Sequence, residues 1–193
     1  NRYAGLRVQP NRIDVDYVVD MAEIPAMQEI SHYIGSVGKS TPDPTKAAAY
    51  RASKCGDIAT GLSLQLNGKP LSFSVTTTAI EFPQGSAGLL TLRLTCSYYA
   101  HWTPSTTNAV VVRDSNFLDH IGWREIVVQG DGAEIRDSNV PTASLSDRLM
   151  NYPTTVINPP NQVEARISFD VTAPGNVLAI PAQNNAGATG RTP

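Results

Sequence analysis

Three side chains that can bind a metal ion lie close together in one predicted loop. Asp114, Asp119 and His120 supply two carboxylates and an imidazole. Imidazole suits transition metals, and carboxylate oxygens suit calcium. Asp and Asn are also common in turns, because their side chains hydrogen-bond the nearby backbone. The pattern favours an Asx-rich turn, so we predict no cofactor and keep these residues as candidate ligands of a weak divalent metal site.

Local catalytic and zinc-binding motifs are missing from the sequence. The histidines are His32, His101 and His120, and neither cysteine has a histidine beside it. Gly-x-Ser-x-Gly, Cys-x-x-Cys and His-Glu-x-x-His do not occur, and these are the local signatures of serine hydrolases and zinc sites. We therefore predict that the chain is not an enzyme. A hydrolase site assembled from distant residues stays the last of three hypotheses.

Neither the acidic residues near the first strands nor the loop 38–44 predicts an ion site. Asp14 and Asp16 alternate with apolar residues, with Asp20 and Glu23 further along. Successive residues of a strand point to opposite faces of a sheet, so these side chains indicate a solvated outer face. The loop 38–44 has one carboxylate and two prolines, which cannot supply the ligands of an EF-hand calcium loop.

Several aromatic residues allow two interpretations. An exposed row of Tyr3, Tyr98 and Trp102 would suit recognition of a sugar polymer or a protein. Packing in the core is the simpler interpretation, because these side chains bring a large apolar area.

The composition excludes some classes of partner. The chain of 193 residues is 41 % hydrophobic and 17 % charged, with a net charge of -2. Without a basic excess, nucleic acid has no electrostatic basis for binding, and an anionic membrane surface lacks its polybasic partner. No apolar run approaches the roughly 20 residues of a membrane helix.

Period-2 patterns predict most of the chain to be β-structure. Residues 89–98 alternate between apolar and polar side chains, as do residues 13–19 and 163–171, and such alternation indicates half-buried strands. Further strands are predicted at 5–9, 62–66, 71–82, 109–112, 123–129 and 133–136. Seven to nine short strands separated by Gly, Pro and Asn turns predict an immunoglobulin-like antiparallel β-sandwich.

Two stretches between the first strands and the rest have helical patterns. Residues 25–35 and 46–59 predict a helix–loop–helix insertion at about 24–60, with Thr45 able to cap the second helix. Ser144 and Asp147 are spaced for a capping box, which predicts helical turns at 144–151. Residues 1–173 are predicted to form one domain. Residues 174–193 have little to bury and read as a flexible linker.

The two cysteines leave their chemical state open. Cys55 falls in the second predicted helix and Cys96 on the apolar face of strand 89–98. Both a disulfide bond and two buried free thiols are compatible with these positions.

Four stretches together resemble a known family. They are residues 1–6, 20–25, 88–96 and 120–126, which read NRYAGL, DMAEIP, GLLTLRLTC and HIGWREI. They are similar to the extracytoplasmic N-terminal domain of actinobacterial nickel/cobalt-transporter-like membrane proteins. The resemblance covers about residues 1–155 and implies a disulfide between Cys55 and Cys96, in keeping with an oxidising location. Family members often carry an acidic, EF-hand-like loop between the two helices, and residues 38–44 depart from it.

These observations lead to three functional hypotheses. The first is a non-catalytic extracytoplasmic domain, anchored at the plasma membrane by transmembrane helices of its own parent chain and acting in partner contact, gating or capture of nickel or cobalt ions. The second is a secreted binding or adhesion module that recognises a polymer or a protein. The third is the hydrolase with a spatially assembled site. Nucleic acid is not an expected partner of any of them.

Overall fold

The computed structural model describes residues 1–37, 41–86, 88–105 and 107–172. The predicted linker at 174–193 lies outside the described residues. The described chain forms strands and helices, which occur in the following order: β1 Arg2–Gln9, β2 Arg12–Met21, α1 Glu23–Glu29, a π-helical turn Ile30–Ile34, β3 Ser36–Val37, β4 Thr41–Pro42, α2 Pro44–Gly61, β5 Leu62–Leu66, β6 Lys69–Leu71, β7 Ser74–Glu81, β8 Leu92–His101, β9 Asn108–Asp114, β10 Arg124–Gly130, β11 Ala133–Ser138 and β12 Glu164–Val171.

Two five-stranded sheets pack face to face as a sandwich. Sheet 1 has the strand order β10-β1-β2-β8-β7, and sheet 2 has the order β11-β12-β9-β5-β6. Neighbouring strands are antiparallel except β1 and β10, which run parallel with Arg2 opposite Arg124. The predicted mainly-β, immunoglobulin-like sandwich with a helical insertion is confirmed. The parallel pair was not predicted from the sequence.

The core lies between the sheets and is built from the side chains that the alternation places inward. In β8, Leu92, Leu94, Cys96 and Tyr98 are all buried, while the residues between them are partly exposed. Fully burying one such large apolar side chain stabilises the fold by about 1.5–3 kcal/mol. The alternation therefore identifies both the strand and its inner face.

The first helix of the insertion changes its geometry part-way along. α1 continues into the π-helical turn, where the Gly35 amide donates to the Ile30 carbonyl at 2.6 Å, five residues back. Gly35 then ends the helical segment with a φ of 71°, a conformation that glycine adopts without a steric cost. Ala26, Ile30 and Ile34 are buried against the main core. A helical segment thus lies where the helix 25–35 was predicted, and its second half is π-helical.

The second helix, α2, begins two residues earlier than the sequence indicated. The Asp43 carboxylate accepts hydrogen bonds from the backbone amides of Thr45 and Lys46 at 2.9 and 3.2 Å. Pro44 occupies the first helical position, where its missing N–H costs nothing. The prediction that Thr45 caps this helix was therefore wrong, and Asp43 is the cap.

A disulfide bond between Cys55 and Cys96 fastens α2 to the inner face of β8, with the two Cα atoms 5.6 Å apart. Beside it, the Tyr98 hydroxyl donates to the Cys55 carbonyl at 2.7 Å. The pairing implied by the family resemblance is thus present. It fixes the position of the insertion on sheet 1.

The segment 144–151 is not helical, contrary to the prediction. Asp147, Arg148 and Leu149 have positive φ angles of 48, 58 and 65°, which a right-handed helix does not contain. The Ser144 hydroxyl accepts from the Arg148 amide at 3.0 Å and donates to the carboxylate of Glu125 at 3.1 Å. The turn is therefore organised by a carboxylate from β10 and not by a capping box of Ser144 and Asp147.

Three predicted strand boundaries are also corrected. The predicted strand 71–82 is divided, because β6 lies at the edge of sheet 2 and β7 at the edge of sheet 1. β8 begins at Leu92, since Leu90 forms only an isolated bridge with Gln84. Trp123 precedes β10. In each case the hydrogen bonds between strands decide where a strand begins or ends.

Candidate ligand-binding cleft

A cleft of about 770 Å³ opens at one end of the sandwich. One wall contains the start of β1 and the end of β2, the second contains α1 and the π-helical turn, and the third is the loop at 117–123. Small-molecule sites in proteins typically measure about 300–1,000 Å³. The size of the cleft is therefore that of a ligand site, and the disulfide-fastened insertion forms one of its walls.

A buried ion pair lies at the floor of the cleft. Arg2, which lines the cleft, places its Nε 2.8 Å from Oδ2 of Asp114, and the two side chains are 4 % and 2 % exposed. The Tyr17 hydroxyl donates to the same Oδ2 at 3.0 Å. Burial raises the pKa of Tyr17, and the neighbouring Asp114 charge raises it further. Asn116 donates its backbone amide and its Nδ2 to Oδ1 of Asp114 at 3.0 and 2.9 Å.

The Asp114 carboxylate accepts several hydrogen bonds, whereas the Arg2 guanidinium has no hydrogen-bond acceptor among the described residues. Within the described residues, none of its nitrogens makes a hydrogen bond of good geometry, because the contact with Asp114 is an ion pair without a well-directed N–H. Nη1 and Nη2 likewise have no hydrogen-bond partner there. Buried polar groups in folded proteins are nearly always paired. Arg2 therefore has spare capacity to donate to a bound group.

The helical wall carries a second polar network. The Tyr50 hydroxyl donates to Oε2 of Glu29 at 2.6 Å, and Nζ of Lys54 lies 3.7 Å from Oε1 of the same carboxylate. Burial raises the pKa of Tyr50, and its hydrogen bond to Glu29 adds to that rise. Nζ of Lys54 also lies 5.7 Å from the centre of the Phe117 ring, a cation–π distance. Lys54 thus links the helical wall to the loop.

The loop wall is held by Arg124. Its Nη2 donates to the carbonyls of Leu118 and His120, both at 2.7 Å, and its Nη1 donates to Oδ1 of Asn161 at 3.1 Å. No carboxylate of the described residues lies within ion-pair distance of this guanidinium. Arg124 therefore gives the loop a fixed backbone and leaves a positive charge beside the cleft.

The mouth of the cleft is apolar. Tyr33 and Ile121 line the cleft and are 56 % and 103 % exposed. Leu118 and Met27 are exposed on the same two segments. Exposed apolar side chains beside a cavity are typical of binding sites. The cleft therefore has a polar floor with a buried ion pair, cationic side chains in its walls and an apolar entrance.

The structure does not bring the three candidate metal ligands together. Asp114 is buried in the ion pair with Arg2, whereas Asp119 and His120 contact each other at 2.8 Å on the surface. The hydrogen bond from His120 lowers the pKa of Asp119. Over the ranges that the structure describes, no group of three His, Cys, Asp or Glu residues is placed to hold a metal ion. The predicted loop thus contributes a buried carboxylate and a separate surface pair.

The aromatic residues proposed for an exposed face are buried. Tyr3, Tyr98 and Trp102 are 6 %, 1 % and 6 % exposed. Trp102 packs edge-on against Phe169 with ring centres 5.3 Å apart, and its indole N–H donates to the Gln9 carbonyl at 3.1 Å. The packing interpretation is confirmed, and these three residues form no surface for a polymer.

The sequence reasoning missed Arg2, Lys54 and Arg124 as residues of a site. A signal existed for Arg2, because it shares one face of β1 with Ala4 and Leu6, and a charge on a core-facing position is unusual. The predicted strand began at residue 5 and so left Arg2 out. No signal of this kind existed for Lys54 or Arg124, whose roles depend on the loop that reaches them.

None of the helices in the described ranges is both long and apolar enough to span a bilayer. No protein-family model, curated protein or solved structure matches the chain.

Proposed function

We propose that this chain is a non-catalytic, extracytoplasmic binding domain, and that the cleft between the helical insertion and the end of the sandwich is its binding site. The observation that carries the proposal is the floor of the cleft, where the nitrogens of the buried Arg2 side chain have no hydrogen-bond acceptor in the part of the chain that the structure describes. The fixed loop and the apolar mouth support it, because ligand sites combine a few placed polar groups with apolar walls.

The proposed location is supported by the disulfide between Cys55 and Cys96. Such bonds persist in oxidising compartments and are rare in the cytosol. The domain would then work on the outer face of the plasma membrane.

The membrane-protein class is supported by the sequence resemblance to nickel/cobalt-transporter-like proteins. In that setting the partner of the domain is the set of transmembrane helices of its own parent chain, and its role is partner contact, gating or metal capture. The coding sequence beyond Pro193 tests this part directly. Apolar segments of about 20 residues there would support it, and a stop codon shortly after Pro193 would favour the secreted binding module.

Metal capture is the most specific of these roles, and it has its own test. Asp119 and His120 are the candidate ligands that lie in contact, and two side chains alone give a weak site. Calorimetry with Ni²⁺, Co²⁺, Zn²⁺ and Ca²⁺ is the measurement, with the double variant Asp119→Asn, His120→Gln as the control. Saturable heat that this variant lacks would support capture. No heat at millimolar metal would exclude it for the isolated domain.

Binding in the cleft is tested by a thermal-shift screen of small molecules on three proteins. Ser31 lines the cleft and is exposed, so Ser31→Trp fills the cavity with an indole. Ser63→Trp makes the same change at an exposed position of β5 outside the cleft. A ligand at a hundred times its dissociation constant stabilises the folded state by about 2.7 kcal/mol. We expect compounds that stabilise the wild type and Ser63→Trp but not Ser31→Trp. Compounds that stabilise all three equally would place binding elsewhere.

A hydrolase is the third candidate, after the secreted binding module, and it is considered because two histidines and two carboxylates line the cleft. The carboxylates are already engaged, since Asp20 accepts from the Tyr152 hydroxyl and Glu29 from Tyr50. His32 packs edge-on against Tyr33 at 4.5 Å. Our proposal predicts no hydrolysis of a panel of chromogenic esters above the buffer rate. A rate that His32→Ala abolishes would favour the enzyme.

A further inference from the structure

We propose that the cleft takes an organic anion, with a carboxylate or phosphate monoester head beside Arg2 and an apolar body towards Tyr33 and Ile121. This inference rests on the proposed function, because it takes the cleft as the binding site and names the chemical class of its ligand.

The first argument is the unmet donor capacity of Arg2. A guanidinium stays charged at all physiological pH values, and its side chain here is 4 % exposed. Its planar fork matches the two oxygens of a carboxylate or phosphate group. Nη1 and Nη2 are buried and lack a hydrogen-bond acceptor among the described residues. Once the side chains around Arg2 move to admit it, an anionic head supplies the acceptors that the protein does not.

The second argument is the balance of charge around the cleft. Three lining side chains are cationic, namely Arg2, Lys54 and Arg124, and two are carboxylates, Asp20 and Glu29. Each carboxylate accepts a hydrogen bond from a tyrosine hydroxyl. Arg124 donates only to neutral groups among the described residues. Asp114 pairs with Arg2, so the charges around the cleft balance in number. Arg124 is the lining cation that has no carboxylate at ion-pair distance among the described residues, and an anionic head would find it uncompensated.

The third argument is that the cleft is polar at its floor and apolar at its mouth. Met21 and Phe117 line the cleft and pack against the main core, and Tyr33 and Ile121 lie at the exposed entrance. An inorganic anion would leave these apolar surfaces in water. A ligand with an apolar body covers them, and this burial adds to its affinity.

Four probes with one apolar body and different heads test the inference. Octanoate and octyl phosphate carry anionic heads, octanol a neutral head and octylamine a cationic head. Calorimetry on the wild-type domain should show that at least one anionic probe binds tenfold or more tightly than octanol and octylamine. The comparison between octanoate and octyl phosphate identifies the head that the site prefers.

Arg2→Gln should weaken the anionic probe at least tenfold and leave octanol unaffected. Arg7→Gln, an exposed change on the same strand, is its matched control and should bind like the wild type. Because Arg2 is buried, its variant is first checked for folding by circular dichroism. If the Arg2→Gln variant does not fold, the Ile121→Asp variant provides the test instead.

Ile121→Asp places a carboxylate at the exposed mouth without touching the core, and it should weaken the anionic probe at least fivefold. Ile157→Asp makes the same change at a position that is 91 % exposed and outside the cleft. It should bind like the wild type. Equal binding by both aspartate variants would overturn the inference.

The outcomes separate this inference from the proposed function. If octanol or octylamine bound more tightly than the anionic probes, and Ile121→Asp changed that binding, the ligand would not be an anion. The cleft would still be a binding site. Absence of binding by all four probes, together with a thermal-shift screen in which no compound distinguishes Ser31→Trp from Ser63→Trp, would overturn both.

Discussion

Two oppositely charged side chains are buried on opposite faces of sheet 1. Arg2 faces the core beside Asp114, and Glu125 faces outward under the turn at 144–146. Glu125 accepts hydrogen bonds from the Ser144 and Ser146 hydroxyls and the Leu145 amide. Among the described residues, the Arg2 side chain has only its ion pair with Asp114. The carboxylate is therefore assigned a structural role and the guanidinium a role in binding.

Glu125→Gln should destabilise the domain, because the amide loses the charge that strengthens these hydrogen bonds. Hydrogen bonds to charged groups contribute roughly 1.5–3 kcal/mol each. We expect a loss of about 2 kcal/mol in the free energy of unfolding, measured by urea denaturation. Glu81→Gln is the control at an exposed position of β7, and it should change stability by less than about 0.5 kcal/mol. Similar effects of both variants would contradict the assigned role of Glu125.

Stability should fall at alkaline pH because the domain buries four tyrosines, and burial raises the pKa of Tyr3 to about 12. Burial is the main cause that raises the pKa of Tyr17, Tyr50 and Tyr98. Unfolded tyrosine titrates near pH 10, so the folded state holds these protons more tightly. Their contribution is fully present below about pH 10 and is lost as the pH rises from there towards the folded pKa.

The loss should reach about 1.4 kcal/mol per pH unit for each of these tyrosines. Urea denaturation between about pH 8 and pH 12 measures it. Tyr98→Phe should reduce the slope by one tyrosine's share. A slope above pH 10 that this substitution leaves unchanged would contradict the assignment for Tyr98.

At the scale of the elements, the disulfide is the strongest single link between the insertion and the sheet. Its closed loop spans 41 residues, for which the chain-entropy relation gives about 4 kcal/mol. The double variant Cys55→Ala, Cys96→Ala should lose about that much stability. Reduction of the wild type should give the same loss. If denatured, unreduced wild-type protein showed two reactive thiols, the bond itself would be refuted.

The cap of α2 gives a sharper test of local structure. Asp43→Ala removes the acceptor for two backbone amides and should cost about 1 kcal/mol. Thr45→Ala should cost less than about 0.5 kcal/mol, because its side chain is not the cap. Thermal unfolding of both variants is the measurement, and the reverse order would restore the sequence-based assignment.

Whether an element could be predicted from the sequence depends on how far along the chain its hydrogen-bond partners lie. The core strands follow from alternation, because a half-buried strand shows its two faces in its own sequence. The left-handed turn at Asp147–Leu149 could not be predicted from the local sequence. Its hydrogen bonds involve Glu125, which lies 19 residues before Ser144 in the chain. The division between β6 and β7 likewise depends on which sheet each edge joins.

At the scale of the whole molecule, the class of fold was predictable and the site was not. Composition and turn spacing indicated a sandwich with a helical insertion, and this is what the chain forms. The cleft combines the start of β1, the insertion and the loop before β10, so it exists only once the sheets have assembled. Of the predicted metal ligands, only His120 lines it.

The most direct test of the central claim is a two-dimensional ¹H–¹⁵N spectrum of the oxidised domain, recorded with and without small-molecule ligands. We predict that the amide shifts change most around the floor and both walls, at Arg2, His32 and Gly122, and little on sheet 2. Changes confined to sheet 2, or no changes with a diverse set of ligands, would contradict the claim that this cleft is the binding site.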